Sequence, residues 1–373
     1  MPKEGAGFID FFQTIPDHRL NRKKLHLVEE IFLVTFCAVS AGCDGWDDIE
    51  LFGKTKLAYL RTFLPFKNGA PSDDTLRRFF RVLDPEKFES CFVAWVKSFQ
   101  IDLSEKVVAF DGKTSRRSFD EAERAMHLIS AFASEMGLVL GQLKVDGKSN
   151  EITAIPILLD LLDLKGAIIT IDAMGAQSKI VEKIIEKEAN YVIGLKGNQG
   201  NLHNDVKTFF EKKPKNAVFS QSTECDKGHG RIETRVCTIT DDIQWLRERH
   251  PQWAKLNSII EIESIREIKS EISVEKRYYI GSIVADTSLA HRAVRQHWAV
   301  ENNLHWVLDM SFGDDQSRIR KGNAPRNIAL VKKTVLNLLQ IVKKNMPRIS
   351  LKRMRKLAGW DGDFLTTVLA AKF

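Results

Sequence analysis

The sequence is poor in cysteine and lacks the hallmarks of secreted, membrane and nucleotide-binding proteins. Its 373 residues include five cysteines without any CxxC pair, which predicts a reducing, cytoplasmic setting. Cys225, His229 and Cys237 do not make a zinc site, because a fourth ligand and the usual spacings are missing. The longest apolar stretch, residues 31–42, is too short to span a bilayer, so no membrane partner is expected. The glycines of residues 194–200 have the wrong spacing for a P-loop or a dinucleotide fold, so no small-molecule cofactor is expected.

Acidic residues are absent from one long segment near the C-terminus. Residues 316–360 contain no Asp or Glu but thirteen Lys or Arg, whereas the rest of the chain has 43 basic and 49 acidic residues. Basic charge confined to one segment predicts a polyanionic partner, and the phosphate backbone of nucleic acid is the usual one. The alternative is a solvated basic helix, although 45 residues without an acid are hard to explain by solvation alone.

Residues 1–100 are predicted to form a helical domain. Apolar periodicity predicts helices over residues 27–41 and 46–64. Ser72 is placed to cap a further helix, which carries arginines at three positions: Arg77, Arg78 and Arg81. Two interpretations of this helix are equally good from the pattern, a helix-turn-helix-like contact with DNA or an ordinary helical bundle with solvated arginines.

From about residue 104 the apolar pattern becomes strand-like. Strands and helices are predicted in the order β-β-β-α-β-α-β-α, an α/β fold in which an antiparallel meander joins parallel strands through helical crossovers. The second and third strands are expected to form a hairpin across residues 135–137, and Ser149 or Asn150 is expected to cap the following helix. A β-rich insertion is predicted over about residues 215–285.

Two predicted strands end at an aspartate that is followed by glycine. Asp111 ends residues 107–111 and Gly112 is expected to turn the chain, while Asp172 ends a second buried strand. Two strand-end carboxylates could share a hard divalent cation such as Mg²⁺. The alternative for each aspartate is a turn former or a helix cap, which is the commoner use of an aspartate in this position.

Two further groups of polar residues have periodic spacing. Arg231, Glu233 and Arg235 alternate onto one strand face, where they either contact DNA or form a cross-strand charge ladder. On a helix predicted over residues 288–310, a carboxylate, an imidazole and a carboxylate lie four residues apart: Glu301, His305 and Asp309. Such a face is either a hydrogen-bonded surface patch or part of a site, and the neighbouring tryptophans, Trp298 and Trp306, suggest that it is buried.

Together these features predict metal-dependent phosphoryl transfer on DNA. Two carboxylates come from strand ends and one comes from a later helix, and a basic segment follows them. Two cations about 3.5–4 Å apart would clamp the attacking and leaving oxygens of an in-line displacement. Three acids would hold those cations in place.

The sequence resembles the DDE transposases of bacterial insertion sequences, and in particular the H-repeat-associated group found with Rhs elements. The resemblance runs nearly end to end and includes these motifs: GAPSDDT (69–75), FDGKT (110–114), HLISAFASEMGLVLGQ (127–142), KSNEITAIP (148–156), TIDAMGAQ (170–177), LKGNQGNL (195–202), GHGRIETR (228–235), RQHWAVENNLHWVLDMSFGDD (295–315) and RIRKGNAPRN (318–327). It implies a ribonuclease-H-like catalytic core over residues 101–373, with the β-rich insertion before the last acid.

The resemblance also implies the site residues and partners. The three acids of the family fall on Asp111, Asp172 and Glu301, which would bind two Mg²⁺ or Mn²⁺ ions, and His297, His305 and Asp309 would support the catalytic helix. The DNA of element ends and target would be held by seven cations: Lys196, Arg231, Arg235, Arg318, Arg320, Lys321 and Arg326. Synapsis of two ends makes a homodimer plausible by analogy with the family alone.

Four positions depart from the pattern expected of the group: Asp73, Ser115, Gly147 and His297. None of them removes a predicted ligand. Three functions therefore remain open, an active transposase, a decayed transposase that only binds DNA, and a nuclease that hydrolyses DNA without strand transfer.

Overall fold

The structure is a computed structural model that describes residues 7–17, 19, 24–118, 125–145, 151–228, 230–268 and 271–373. Three positions discussed above with an expected role, the helix caps Ser149 and Asn150 and the zinc candidate His229, lie outside these ranges, as does Gly147. Within the described part of the chain, no helix is both long and apolar enough to cross a membrane.

The N-terminal region is helical, as predicted. A 3-10 turn over Ile9–Phe12 precedes five helices: α1 Val28–Ser40, α2 Trp46–Thr55, α3 Leu57–Leu60, α4 Asp73–Val82 and α5 Pro85–Lys97. The single helix predicted over residues 46–64 is wrong, because Lys56 leaves the helical conformation (φ −102°, ψ 20°) and separates α2 from α3. The cap predicted for α4 is confirmed, since Ser72 Oγ accepts a hydrogen bond from the Thr75 N–H at 3.3 Å.

Nine strands form one mixed sheet with the order β3-β2-β1-β4-β5-β9-β8-β7-β6. They are β1 Val107–Thr114, β2 His127–Ala133, β3 Leu138–Val145, β4 Ile168–Ile171, β5 Asn190–Leu195, β6 Ser220–Gly228, β7 Arg231–Thr240, β8 Ser258–Ile268 and β9 Glu271–Gly281. The β1–β4 and β4–β5 pairs are parallel, and the other pairs are antiparallel. The predicted hairpin between β2 and β3 is confirmed, and Gly137 supplies its positive φ of 69°.

Nine helices of the described chain follow β3, and they complete the predicted β-β-β-α-β-α-β-α order. They are α6 Glu151–Leu161, α7 Ser178–Glu186, α8 Gly200–Lys212, α9 Gln244–Arg249, α10 Thr287–Val300, α11 Trp306–Phe312, α12 Ala324–Lys343, α13 Leu351–Trp360 and α14 Gly362–Leu369. The β-rich insertion is not a separate body, because its last strand, β9, pairs with β5 and extends the central sheet. Helix α10 packs on one face of that sheet, where Val107, Ile168 and Val192 meet its alanines.

Helix α12 is a core helix, although it lies in the acid-free basic segment. It packs against α1, α4, α5 and β3, so it joins the N-terminal helices to the sheet. Lys332 binds Asp314 at 3.0 Å inside the protein, and Arg355 of α13 binds Asp44 at 3.0 Å. The prediction that the whole segment holds phosphates is therefore wrong for Lys332, Lys333 and Arg355, which are all buried. A segment can be basic because its partners are acids elsewhere in the same fold.

The helix predicted over residues 288–310 is interrupted by a π-helical turn. Helix α10 ends at Val300, the π turn spans Glu301–His305, and α11 begins at Trp306. The Trp306 N–H donates to the Glu301 carbonyl, which is the spacing of a π turn. Trp298 and Trp306 are 43% and 58% exposed, so the prediction that they mark a buried stretch is wrong.

Candidate active site

Asp111 and Asp172 lie side by side at the carboxyl ends of two parallel strands. The last aligned pair of β1 and β4 is Phe110 with Ile171, so the two aspartates are the next positions on neighbouring strands. Neighbouring strands are about 4.8 Å apart, and side chains two residues apart point to the same face. Both carboxylates therefore lie on the face that α10 covers. Thr170, two residues before Asp172, lies on the same face.

The strand that carries Asp111 continues beyond it, and the predicted turn at Gly112 is wrong. β1 loses its partner β4 after Phe110, but it stays paired with β2 as far as Thr114. Gly112 is needed for another reason: an added Cβ would overlap Glu151 Oε1 and lie 2.5 Å from His127 Nε2. His127 and Glu151 form a buried pair at 2.5 Å on the side of β1 away from α10.

Backbone N–H groups hold one oxygen of each aspartate. Asp111 Oδ1 accepts from the Gly112 N–H at 2.9 Å. Asp172 caps a 3-10 turn over Ala173–Gly175, where its Oδ1 accepts from the N–H groups of Met174 at 3.0 Å and Gly175 at 3.3 Å. The cap interpretation of Asp172 is therefore confirmed, and in both carboxylates it is Oδ1 that these backbone groups hold.

The π turn brings Glu301 and His305 to Asp111 but leaves Asp309 elsewhere. His305 Nδ1 lies 3.5 Å from Asp111 Oδ2. In the described chain, Asp111, Glu301 and His305 are the group whose ligand atoms all lie within 4.8 Å of one another. Asp309 instead pairs with Lys113 at 2.7 Å. Of the three residues predicted on one helix face, the structure places two at the same carboxylate.

Burial and negative neighbours make Asp111 hard to ionise without a cation. Burial and then the charges of Glu301, Asp172 and Glu151 raise the pKa of Asp111 to about 7, even though the Gly112 N–H opposes them. Burial lowers the pKa of His305 to about 3 and that of His297 to about 4, so both imidazoles are neutral at pH 7. His297 Nδ1 lies 3.2 Å from Thr170 Oγ1, behind Asp172. The two imidazoles beside the carboxylates therefore carry no positive charge at pH 7.

A row of polar side chains that the sequence motifs did not indicate crosses the sheet from Asp111. Ser130 of β2 aligns with Asp111, and Gln142 of β3 aligns with Ser130. Lys333 of α12 covers the row, and its Nζ donates to Ser130 Oγ at 2.8 Å and Gln142 Oε1 at 2.9 Å. Burial lowers the pKa of Lys333 to about 8. A lysine within the apolar pattern of α12 was the available signal.

Arg326 serves this interior network. It binds Glu89 of α5 through two hydrogen bonds, of 2.9 and 2.5 Å, and Glu89 also accepts from Gln142 at 3.0 Å. Since its side chain is only 13% exposed, Arg326 is a poor candidate for the phosphate contact expected of it.

A groove of about 530 Å³ runs from Glu301 along the β-rich insertion. Its basic lining comes from strands β7 to β9 and from α10: Arg231, Arg235, Arg266, Arg277 and Arg295. Buried Glu233 lies among them, at 2.7 Å from Arg235, 3.1 Å from Arg266 and 3.7 Å from Arg231, so the charge ladder is confirmed. Arg277 also lies over the Trp298 ring, 4.7 Å from its centroid.

The other cations expected at DNA are spread over the surface. Lys196, Arg318 and Lys321 are exposed. Arg320 is half-buried and donates from Nε to the Arg117 carbonyl at 2.9 Å.

Comparison with known proteins gives the family. The family model described as Transposase DDE domain matches residues 102–338, and the one described as DDE_Tnp_1-associated matches residues 9–96. "Putative transposase YncI" of Escherichia coli O157:H7 is 42% identical over 97% of this chain and 94% of its own length. "H repeat-associated putative transposase YhhI" of E. coli K12 is 39% identical over 97% of both chains. "Inactive transposase YbfQ" of the same strain is 46% identical over 19% of this chain and 83% of its own length. The chain therefore belongs to the transposase DDE domain family and resembles its H-repeat-associated members, as the sequence motifs predicted.

Proposed function

We propose that this transposase cuts DNA at the ends of an insertion element and joins them to target DNA, with Asp111, Asp172 and Glu301 as its catalytic acids. Water attacks the phosphodiester at the element end, and the freed 3′-hydroxyl then attacks a target phosphodiester at the same site. The sheet order β3-β2-β1-β4-β5 supports a ribonuclease-H-like core, onto which the insertion adds four strands.

The observation that carries this proposal is the meeting of three acids from separate parts of the chain. The parallel register puts Asp111 beside Asp172, and the π turn puts Glu301 over Asp111. The residues fit two divalent cations, because the repulsion that raises the pKa of Asp111 is the repulsion that bound positive charge would relieve. Each aspartate has one oxygen fixed by backbone N–H groups and a second oxygen available for Mg²⁺ or Mn²⁺.

The bound cations would supply charge neutralisation at the phosphate and a lowered pKa for water or a 3′-hydroxyl. Residues of the chain would position the reacting groups and bind the DNA. Asp111, Asp172 and Glu301 fix the reacting position, while the arginines of the groove bind phosphates on the way to it. Since the groove begins at Glu301, DNA lying in it would present a phosphodiester to the three acids.

Other parts of the chain complete the proposed complex with DNA. The helical region of residues 1–100 would help to recognise element ends, and residues 101–373 would form the catalytic domain. The exposed cations Lys196, Arg318 and Lys321 would add phosphate contacts outside the groove. Synapsis of two ends would require two copies of the chain.

The test is cleavage of labelled DNA that carries the inverted repeats flanking this reading frame. Asp111→Asn is expected to abolish Mg²⁺-dependent nicking and to leave DNA binding within about threefold, because it removes a ligand without changing the groove. Asp309→Asn is the matched control, since Asp309 lies on the same helical stretch but pairs with Lys113. Cleavage that survives Asp111→Asn, or is lost equally in both variants, would refute the catalytic assignment.

The same assay separates the alternatives. Joined products in a plasmid target indicate a transposase, whereas nicks without joined products indicate a hydrolytic nuclease. Salt-sensitive binding without nicking indicates a decayed transposase. One relative is named an inactive transposase.

A further inference from the structure

The π turn gives the site an imidazole that the three acids alone do not provide. His305 ends the turn that Glu301 begins, and its Nδ1 lies 3.5 Å from Asp111 Oδ2. Ligand atoms of Asp111, Glu301 and His305 lie within 4.8 Å of one another. π turns of this kind occur often at functional sites.

The distance between the imidazole and the carboxylate fits two ligands of one ion better than a hydrogen bond. A hydrogen bond between a ring N–H and a carboxylate has its atoms about 2.7–3.2 Å apart. Two ligand atoms that are each about 2.1 Å from a shared cation, at angles between square and tetrahedral, lie about 3.0–3.4 Å apart. The observed 3.5 Å is about 0.1 Å beyond this range, whereas it is about 0.3 Å beyond the hydrogen-bond range.

The other nitrogen of the His305 ring points to a separate, internal partner. His305 is 7% exposed, and its Nε2 has no hydrogen-bond partner among the described residues. His305 lines a cavity of about 10 Å³ together with five other polar residues: Lys113, Ser115, Ser130, Asp314 and Lys333. This volume is about that of one water molecule, and the lining offers the two to four polar contacts that such a water needs. Metal-bound histidines usually donate their second N–H to a partner of this kind.

We propose that His305 is a cation ligand through Nδ1, sharing one ion with Asp111 and Glu301, while Nε2–H donates to a water in the cavity beside Lys333. This inference rests on the proposed catalytic site and adds a nitrogen ligand to it. Imidazole suits transition metals better than it suits Mg²⁺, so one of the two cation positions prefers Mn²⁺.

The experiment is pulsed electron paramagnetic resonance of Mn²⁺ bound to the full chain on DNA of the element end. A directly bound imidazole gives a ¹⁴N modulation of the electron spin echo, and labelling the wild-type protein with ¹⁵N-histidine changes that modulation. The labelled protein needs no substitution, so the result does not depend on whether a variant folds. Mn²⁺ affinity is measured in parallel by calorimetry.

His305→Gln is expected to abolish the nitrogen signal and to weaken Mn²⁺ binding at this position by at least about tenfold. Mg²⁺ binding should weaken less, because glutamine still offers an oxygen. His250→Gln is the matched control, since His250 is also a buried histidine. It binds Asp205, with Nε2 and Oδ2 2.8 Å apart, and not one of the three acids. This control should keep the nitrogen signal and the Mn²⁺ affinity of the wild type.

The outcomes separate this inference from the proposed function. If Mn²⁺ binds and Asp111→Asn weakens it, but ¹⁵N-histidine leaves the spectrum unchanged, the three acids stand and His305 is not a ligand. A nitrogen signal that persists in His305→Gln also overturns the inference. If Asp111→Asn changes neither Mn²⁺ binding nor cleavage, the proposed function itself fails.

Discussion

The carboxamide of Asn337 binds both backbone groups of Val139. Its Oδ1 accepts from the Val139 N–H and its Nδ2 donates to the Val139 carbonyl, each at 2.8 Å. Val139 lies in β3, which is at the edge of the sheet. The Asn337 side chain therefore makes the two hydrogen bonds to Val139 that a further strand would make. At Val139, a core helix thereby covers the sheet edge nearest the proposed catalytic acids.

Replacing Asn337 should therefore destabilise the protein. Asn337→Ala leaves a buried N–H and a buried carbonyl unpaired, at an expected cost of about 2–6 kcal/mol, since each such group costs about 1–3 kcal/mol. Urea unfolding measures the cost. The exposed Asn345, two residues beyond the end of α12, provides the control Asn345→Ala, which should change the free energy of unfolding by less than about 0.5 kcal/mol. Equal effects in the two variants would contradict this role of Asn337.

Gly112→Ala should disrupt the floor of the active site. The added methyl group would overlap Glu151 Oε1 and lie 2.5 Å from His127 Nε2, so one of these buried groups must move. We expect a loss of about 1–3 kcal/mol in unfolding free energy, typical of overpacking, together with a large loss of cleavage. Gly197→Ala is the control, because nothing lies within 4 Å of its added Cβ. If Gly112→Ala were as stable as the wild type, the His127–Glu151 pair would be free to move aside, and the prediction would be wrong.

The raised pKa of Asp111 predicts a pH-dependent stability in the absence of divalent cations. Burial and Glu301 raise this pKa from 3.8 to about 7, so the folded state binds the proton more tightly than the unfolded state does. Its stabilising contribution is complete below pH 3.8 and is lost as the pH rises through 7. In EDTA, Asp111→Asn should melt a few degrees above the wild type at pH 8, and the gap should close towards pH 4. Adding Mn²⁺ at pH 8 should raise only the wild type. A gap independent of pH would contradict the assignment.

Arg326 and Lys321 should behave differently although both were expected at DNA. Arg326→Ala leaves Glu89 buried without its cation, which should cost about 3–5 kcal/mol of stability. Lys321→Ala changes an exposed side chain and should leave stability within about 0.5 kcal/mol. If Lys321 holds a phosphate, its loss lowers the slope of log affinity against log salt by about 1. If Arg326→Ala were as stable as the wild type, the ion pair with Glu89 would not be its main role, and a contact with DNA would again be the better interpretation.

Arg231 tests the groove directly. Its side chain is 51% exposed and lies 3.7 Å from Glu233, so Arg231→Ala should cost little stability. The affinity for DNA should fall by a similar factor for every DNA sequence, and the slope of log affinity against log salt should be lower by about 1. Arg249→Ala is the control, because Arg249 is 62% exposed and pairs with Asp205 outside the groove. If Arg231→Ala and Arg249→Ala had the same slope of log affinity against log salt, the groove would not be where DNA binds.

Local patterns in the sequence predicted most of the elements and their order along the chain. Buried strands are recognisable by β-branched runs, and Ser72 is recognisable as a cap, because both depend on neighbours within a few residues. The proposed catalytic acids came from the motifs of the family, and the cap geometry of Asp172 followed from its position after a strand.

Tertiary structure alone decided which charges are available. Arg326, Lys332, Lys333 and Arg355 looked alike in an acid-free segment. Lys332, Lys333 and Arg355 are nevertheless buried, Arg326 is mostly covered, and each binds partners that are distant in sequence. The π turn likewise separates Asp309 from Glu301 and His305, although all three share one spacing. Spacing along a chain fixes neighbours on one element, whereas the partner of a charge is fixed by how elements pack. The sequence by itself thus predicted the order of the core strands and helices and the three proposed catalytic acids, and only the packing of α10 to α12 decided which imidazole and which cations lie near them.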